Sequence, residues 1–204
     1  MSSKPLVLAS TSPFRRELLA RLGLSFQTAS PHVDETHQPG ESAQGLVLRL
    51  AEAKARAVAT RYSDALIIGS DQVASIGGQL LGKPGDRAHA IDQLAQASGR
   101  TALFRTGLCL LDAASGRAQV HCEPFKVHFR QLTRAQITDY VDREQPFNCA
   151  GSFKSEGLGI ALFERLEGAD PNALIGLPLI RLIDMLANEG IDVLASTDGT
   201  EAIA

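Results

Sequence analysis

The sequence has few of the residues and motifs that mark several common protein classes. Of its 204 residues three are cysteines, widely spaced and without a CxxC pair: Cys109, Cys122 and Cys149. This number and spacing indicate neither a disulfide framework nor a thiolate zinc site. The five histidines show no metal-ligand spacing. No apolar run approaches the ~18 residues of a membrane span, and the run near the start is too short for a signal peptide, so we expect a cytoplasmic protein.

Basic charge and nucleotide-loop motifs are also lacking. The net charge is −3, which argues against bulk binding to nucleic acid or to an anionic membrane, because both need a basic surface. Neither a Walker loop nor a GxGxxG fingerprint occurs, which disfavours P-loop and Rossmann folds. A 44% share of hydrophobic residues is that of an ordinary globular protein. We expect a single domain over residues 1–190 and a loose tail over residues 191–204.

The segments that are present alternate between strand and helix patterns. The apolar run 6–9 predicts a short buried strand, and Ser12 followed by Pro13 predicts a helix start with an N-cap. This alternation predicts an α/β protein whose polar turns gather at one sheet edge. The further elements are predicted as a strand at 25–30, a helix at 42–62, a strand at 65–68, a hairpin turn at 77–78, a helix from 86 to before 99, extended runs at 100–112 and 118–132, a helix at 133–144, a strand at 159–168 and a helix at 178–188.

The first predicted helix carries two arginines where cations are disfavoured. Arg15 and Arg16 fall in its first turn, the positive end of the helix dipole. The free amide groups of a helix start, the hydroxyls of residues 10–12 and two guanidinium groups together form a phosphate cradle. An alternative is that both arginines point into solvent. The pattern therefore indicates an anion site at the start of this helix.

Carboxylates and lysines form the second group of candidates. Glu35, in VDET, follows a predicted strand, and Asp71, in GSDQV, comes just after the buried strand at 65–68. A carboxylate at a strand end is held rigidly toward a cleft, and a pair of them suits a hard divalent cation. Solvation is an alternative for Lys54, and a nucleophilic role for Cys149 stays open although it lacks an evident histidine partner. The basic side chains available to neutralise phosphate oxygens are Lys54, Lys83 and Lys154.

The order of these motifs resembles that of one family. LASTSPFRRELL, VDET, RLAEAKA, IIGSDQV, GKP, CAGSFKSEGLGI and GLPL follow one another as in the Maf-like nucleotide pyrophosphatases, from Leu6 to about Gly190. The resemblance implies an α/β fold with a central elongated mixed β-sheet flanked by helices and two lobes with a cleft between them, a Maf/ITPase-like architecture. It also implies house-cleaning hydrolysis of a nucleoside triphosphate to the monophosphate and pyrophosphate, by a protein that often forms a homodimer.

The resemblance assigns roles to the candidate residues. Asp71 is implied as the general base and, together with Glu35, as a ligand of a divalent cation: Mg²⁺, Mn²⁺ or Co²⁺. The sequence leaves open whether Asp71 is a base or chiefly a metal ligand. Phosphate binding is implied for Ser10, Arg15, Arg16, Lys54, Lys83 and Lys154.

Three positions resemble the branch that hydrolyses 7-methylguanosine triphosphate. Phe14, Gln72 and Glu156 stand where the branch acting on thymidine and uridine triphosphates has arginine, threonine and glutamine. A 7-methylguanine ring is cationic, so an aromatic face and a carboxylate both attract it. One departure is that members of this branch often carry tryptophan at the Phe14 position, and packing of Phe14 into the core remains an alternative to base contact.

Two other functions remain open at the level of sequence. The first is hydrolysis of a pyrimidine triphosphate such as dTTP or UTP by the same catalytic residues. The second is nucleotide binding in the regulation of cell division, with weak catalysis. The set of Asp71, Glu35 and basic residues favours an enzyme, because a protein that only binds nucleotides has no need of a water-activating carboxylate.

Overall fold

The chain folds around a seven-stranded mixed β-sheet. The computed structural model describes residues 4–195. The strands are paired in the order β2-β1-β3-β5-β6-β7, and the short β4 pairs with the far end of β3. Strands β1, β2 and β3 are mutually parallel, whereas all other pairs are antiparallel. The strands are β1 (Leu6–Ala9), β2 (Gln27–Ala29), β3 (Leu66–Ile76), β4 (Gln79–Leu81), β5 (Thr101–Asp112), β6 (Ala118–Phe129) and β7 (Phe163–Gly168).

Helices cover the sheet, which confirms the predicted α/β class. Side-chain N-caps begin α1 to α4 at Ser12, Ser42, Asp86 and Thr133, the residues from which the sequence predicts each helix. Within residues 4–195, no helix has the length and apolar character needed to cross a bilayer. The helices are α1 (Pro13–Ala20), α2 (Ala43–Ala59), α3 (Arg87–Ala97), α4 (Arg134–Glu144), α5 (Pro171–Ile175) and α6 (Leu179–Asn188).

A gap in strand pairing interrupts one side of β3. The parallel partner β1 ends where Ala9 pairs with Gly69, and the antiparallel partner β4 begins only where Ala74 pairs with Leu81. On the other side, β5 pairs with β3 along its whole length. Between residues 70 and 73, β3 therefore has an edge that no strand of the described residues covers. A sheet edge of this kind exposes side chains and backbone groups to a ligand.

Helix α2 lies unusually close to the sheet at two glycines. A Cβ atom on Gly69 would stand 2.0 Å from the backbone oxygen of Ala51, and one on Gly107 would stand 2.1 Å from that of Val47. Both distances are far below van der Waals contact, so only glycine permits this approach. Gly107 pairs with Asp71 in the sheet. The two glycines thus bring α2 directly over the part of β3 that borders the gap.

The core consists of three apolar clusters around the sheet. One contains the edge-to-face rings of Phe104, Phe129, Phe153 and Phe163, whose neighbouring centroids lie 4.7 to 5.7 Å apart. A second packs α1 and α6 on one face of the sheet, and a third packs α2 on the other. Together they hold in place the elements that border the gap in β3.

The structure corrects four details of the predicted elements. Asp71 does not follow a strand that ends at residue 68: it lies inside β3, because pairing with β5 continues to Ile76. The strand predicted over 159–168 begins only at Phe163, after a 3-10 turn. Helix α2 ends at Ala59 instead of residue 62, and the sequence analysis did not predict α5.

The predicted tail begins with residues that contact the core. Ile191 and Val193 are partly buried against the cluster formed by α1 and α6. The rest of the predicted tail, residues 196–204, lies outside the described residues.

Candidate active site

A cleft of about 870 Å³ opens at the gap in β3. Its walls come from the start of α1, the inner side of α2 and the end of α5, and on the opposite side from the segments around residues 81–83 and 145–156. All but one of the candidate residues line it: Ser10, Phe14, Arg15, Glu35, Lys54, Asp71, Gln72, Lys83, Lys154 and Glu156. The volume lies within the range of small-molecule sites.

Lys54 joins the two carboxylates of the cleft. Its Nζ atom lies 2.6 Å from Oδ1 of Asp71 and 2.7 Å from Oε1 of Glu35. Lys54 and Asp71 are buried, with 6% and 7% of their surfaces exposed, so the alternative of a solvated Lys54 is wrong. Burial raises the pKa of Glu35, whereas the hydrogen bond from Lys54 and the charges of Lys54 and Lys83 lower it. The lowering effects together outweigh burial, so the pKa of Glu35 is below its ordinary value. Glu35 therefore carries a negative charge at neutral pH.

Arg15 is fixed at the edge of the cleft by a backbone carbonyl. Its Nε atom donates to the oxygen of Gly176 at 2.8 Å, and Ser70 Oγ donates to the same oxygen at 2.9 Å. Burial lowers the pKa of the Arg15 guanidinium, an effect that the charges of Asp71 and Glu35 oppose. Its terminal nitrogens donate no hydrogen bond within residues 4–195, so they can bind an anion in the cleft.

The start of α1 has the predicted capping geometry. Ser12 Oγ accepts from the backbone nitrogen of Arg15 at 3.4 Å, and Ser10 Oγ accepts from that of Ser12 at 3.1 Å. Ser10 is buried. The hydroxyls that the sequence analysis placed in a phosphate cradle thus line the cleft beside Arg15.

Arg16 is the candidate that the structure does not bring into the cleft. It is exposed and borders a separate recess of about 140 Å³ together with residues 10–13 and Thr28. Consecutive helix residues point about 100° apart, because a turn has 3.6 residues. Arg15 and Arg16 therefore leave α1 in different directions, and a contact of Arg16 with phosphate stays a prediction.

Two lysines come from the opposite side of the cleft. Lys83 follows β4 and is exposed. Lys154 is half-buried: its Nζ donates to the oxygen of Glu144 at 2.7 Å, and its backbone nitrogen donates to the hydroxyl of Tyr140 at 3.0 Å. Glu144 is the last residue of α4, so Lys154 caps the negative end of that helix.

The three residues expected to select the base also line the cleft. Phe14 is half-buried and belongs to none of the three core clusters, which argues against the alternative of simple core packing. Glu156 is exposed, and the amide of Gln72 contacts α5. An aromatic face, a carboxylate and an amide are thus available to a base in this cleft.

The sequence analysis missed the wall formed by α5. The backbone oxygens of Ala173, Leu174 and Gly176 accept hydrogen bonds from residues of the cleft. A signal for this helix was present, since Asp170 caps it and is followed by Pro171. This is the same N-cap and proline pattern that correctly predicted α1.

Cys149 has no hydrogen-bonded histidine among residues 4–195, although it lines the cleft. Burial raises the pKa of its thiol above the ordinary value, and the charge of Lys154 opposes this only in part. A thiol with a raised pKa is a poor nucleophile at neutral pH, so the geometry disfavours covalent catalysis by Cys149.

Comparisons with known proteins agree with this arrangement. The sequence model of the family described as Maf-like protein matches residues 5–189. A protein of Nitrosococcus oceani is 59% identical over 189 residues, covering 93% of this chain and 95% of the relative. One of Alcanivorax borkumensis is 61% identical over 188 residues (92% and 95%), and one of Pseudomonas aeruginosa is 57% identical over 188 residues (92% and 98%). Each of the three is named 7-methyl-GTP pyrophosphatase. The chain belongs to the Maf-like protein family.

Proposed function

We propose that this protein hydrolyses 7-methyl-GTP to 7-methyl-GMP and pyrophosphate. The observation that carries the proposal is the buried ammonium of Lys54, which contacts Asp71 and Glu35 in a cleft that also contains Arg15, Lys83 and Lys154. Carboxylates surrounded by cations are what phosphoryl transfer from a polyphosphate requires. The names of the three relatives support the choice of substrate.

In the proposed reaction, Asp71 accepts a proton from the attacking water. The water oxygen forms a bond to the α-phosphorus, and the bond between this phosphorus and the oxygen that bridges to the β-phosphorus breaks. Pyrophosphate leaves with the electron pair of the broken bond, and Arg15, Lys83 and Lys154 neutralise its charge. Lys54 orients Asp71 by donating to Oδ1, and since no group in residues 4–195 donates to Oδ2, that oxygen receives the proton of the water.

The site suits a divalent cation bound together with the substrate. Within residues 4–195 no group of three or more histidine, cysteine or acidic side chains could hold a metal by itself. Magnesium is commonly held by one or two carboxylates plus the phosphates of the substrate, and Glu35 with Asp71 provides such a pair. When bound, a divalent ion would supply Lewis acidity and neutralise phosphate charge.

The base preference follows from charge and aromatic contact. The 7-methylguanine ring carries a positive charge, which favours the face of Phe14 and the carboxylate of Glu156. Replacement Glu156→Gln keeps the shape and removes the charge, so we expect kcat/KM for 7-methyl-GTP to fall about tenfold, while that for unmethylated GTP changes by less than about threefold. An equal loss for both nucleotides would contradict the role of Glu156 in reading the methylated base.

The catalytic proposal is tested with Asp71→Asn and a matched control. The variant keeps the side-chain volume but cannot accept the proton, and we expect it to lose at least about a thousandfold in kcat. Asp142→Asn is the control, because Asp142 is exposed and pairs with Arg87 outside the cleft. Hydrolysis in oxygen-18 water should place the label in 7-methyl-GMP. Label in pyrophosphate, or full activity of Asp71→Asn, would overturn the mechanism.

A further inference from the structure

The amide of Gln72 is held in one orientation by α5. Its Nε2 atom donates to the backbone oxygens of Ala173 at 2.8 Å and Leu174 at 3.0 Å. A backbone oxygen only accepts hydrogen bonds, so the amide nitrogen of Gln72, and not its oxygen, must face α5. The amide oxygen Oε1 consequently points the other way.

The oxygen of Gln72 is available to a ligand. No side chain or backbone group among residues 4–195 donates a hydrogen bond to Oε1, and no buried side-chain oxygen or nitrogen in that range lacks a partner. An unpartnered Oε1 is therefore not buried, and Gln72 lines the cleft. Gln72 thus brings a neutral hydrogen-bond acceptor to the lining of the cleft.

Thr106 supports this orientation from the neighbouring strand. It pairs with Gln72 in the sheet and is completely buried. Its hydroxyl donates to the oxygen of Ala173 at 2.8 Å and lies 3.0 Å from Nε2 of Gln72. Because the single hydroxyl hydrogen is directed at Ala173, the Thr106 oxygen is an acceptor toward Gln72, and the two amide hydrogens are shared among three acceptors, the oxygens of Ala173, Leu174 and Thr106. Thr106 contacts both the base-reading amide and the helix that fixes it.

We propose that Thr106 is a positioning residue for base selection, which keeps the Gln72 oxygen directed into the cleft. An acceptor that faces the N1 and 2-amino positions of a purine favours guanine. Guanine has N–H donors at both positions, whereas adenine has an acceptor at N1, no amino group at position 2 and its one pairing-edge donor at the 6-amino group. This inference rests on the proposed function, because it concerns how the same cleft distinguishes one base from another.

Ser70 provides a matched comparison. It is also completely buried on β3, and its hydroxyl also donates to a backbone oxygen that follows α5. That oxygen, of Gly176, holds Arg15, which we assign to the phosphates. Every triphosphate has the same phosphates, so loss of the Ser70 hydroxyl should affect all substrates alike. Loss of the Thr106 hydroxyl should change the preference among bases.

The test measures kcat and KM of wild type, Thr106→Val, Thr106→Ser and Ser70→Ala with 7-methyl-GTP and ATP. We expect Thr106→Val to lower the ratio of kcat/KM for 7-methyl-GTP over ATP by about three- to tenfold, mainly through a higher KM for 7-methyl-GTP. Thr106→Ser retains the hydroxyl and should keep the wild-type ratio. Ser70→Ala should lower kcat/KM for both nucleotides by the same factor.

Several results would overturn the inference. An unchanged ratio of kcat/KM in Thr106→Val, with or without an equal loss for both nucleotides, would make Thr106 a purely structural residue. So would a ratio that falls as far in Thr106→Ser as in Thr106→Val. If Thr106→Val does not fold, Thr106→Ala serves instead, since it also removes the hydroxyl that contacts Gln72 and Ala173: a retained ratio would then refute the inference. No pyrophosphate release from 7-methyl-GTP by the wild type would instead refute the proposed function.

Discussion

Replacing Lys54 with methionine tests the charge arrangement at the centre of the site. The change keeps the length of the side chain and removes its ammonium. Asp71 would then be a carboxylate with 10% side-chain exposure and without its charged partner. Removal of one member of a buried ion pair costs about 3–5 kcal/mol. Glu35, whose side chain is 56% exposed, adds at most about 1 kcal/mol.

The expected free energies follow from these contacts. We expect Lys54→Met to lower the free energy of unfolding by about 3 kcal/mol. Asp71→Asn should cost about 1–2 kcal/mol, because Lys54 keeps Glu35 as a charged partner. The double variant removes both buried charges, so its loss should be smaller than the sum of the single losses by at least about 1.5 kcal/mol.

The assay is urea unfolding at pH 7, followed by circular dichroism. Tryptophan fluorescence is not an option, since the sequence contains no tryptophan. The wild type and the three variants form a double-mutant cycle, and near-equal slopes of the unfolding curves are required for the comparison. A coupling free energy below about 0.5 kcal/mol would refute the reasoning that Lys54 and Asp71 form a buried, paired unit.

Three other predictions follow from the structure. Gly69→Ala should destabilise the protein by more than about 3 kcal/mol or prevent folding, because the added Cβ would lie 2.0 Å from a backbone oxygen of α2; thermal unfolding measures this. Arg49 hydrogen-bonds Glu41 and lowers its pKa to about 2, so this pair stabilises the fold above pH 4.5 and loses its effect as the pH falls through about 2. Carbon-13 NMR of Arg49→Met should show the pKa of Glu41 returning toward 4.5. Arg15→Met should lower kcat/KM at least about a hundredfold and Arg16→Met less than tenfold; equal losses would place both arginines on the phosphates.

Local sequence signals predicted the fold where one segment determines its own structure. Ser12, Ser42, Asp86 and Thr133 begin four helices because an N-cap acts within a few residues. The hairpin at Gly77 and Gly78 is equally local, since both glycines have positive φ. Helix α5 has the same kind of N-cap, but its five residues are too few for a periodic pattern.

Long-range pairing decided what the sequence could not predict. The apolar run of β3 stops at Ile68, yet the strand continues because β5 pairs with it as far as Ile76. Asp71 therefore lies beside a gap in the sheet and not after the end of its own strand. Thr106 carries no motif, and its contact with Gln72 arises only from the register of β3 and β5.

The most direct measurement compares pyrophosphate release from 7-methyl-GTP, GTP, dTTP, UTP and CTP, with and without magnesium or manganese. The proposed function predicts metal-dependent release with the highest kcat/KM for 7-methyl-GTP. A preference for dTTP or UTP would contradict the assignment of Phe14, Gln72 and Glu156 to the methylated base. Absence of release from all five nucleotides, with binding retained, would contradict catalysis itself.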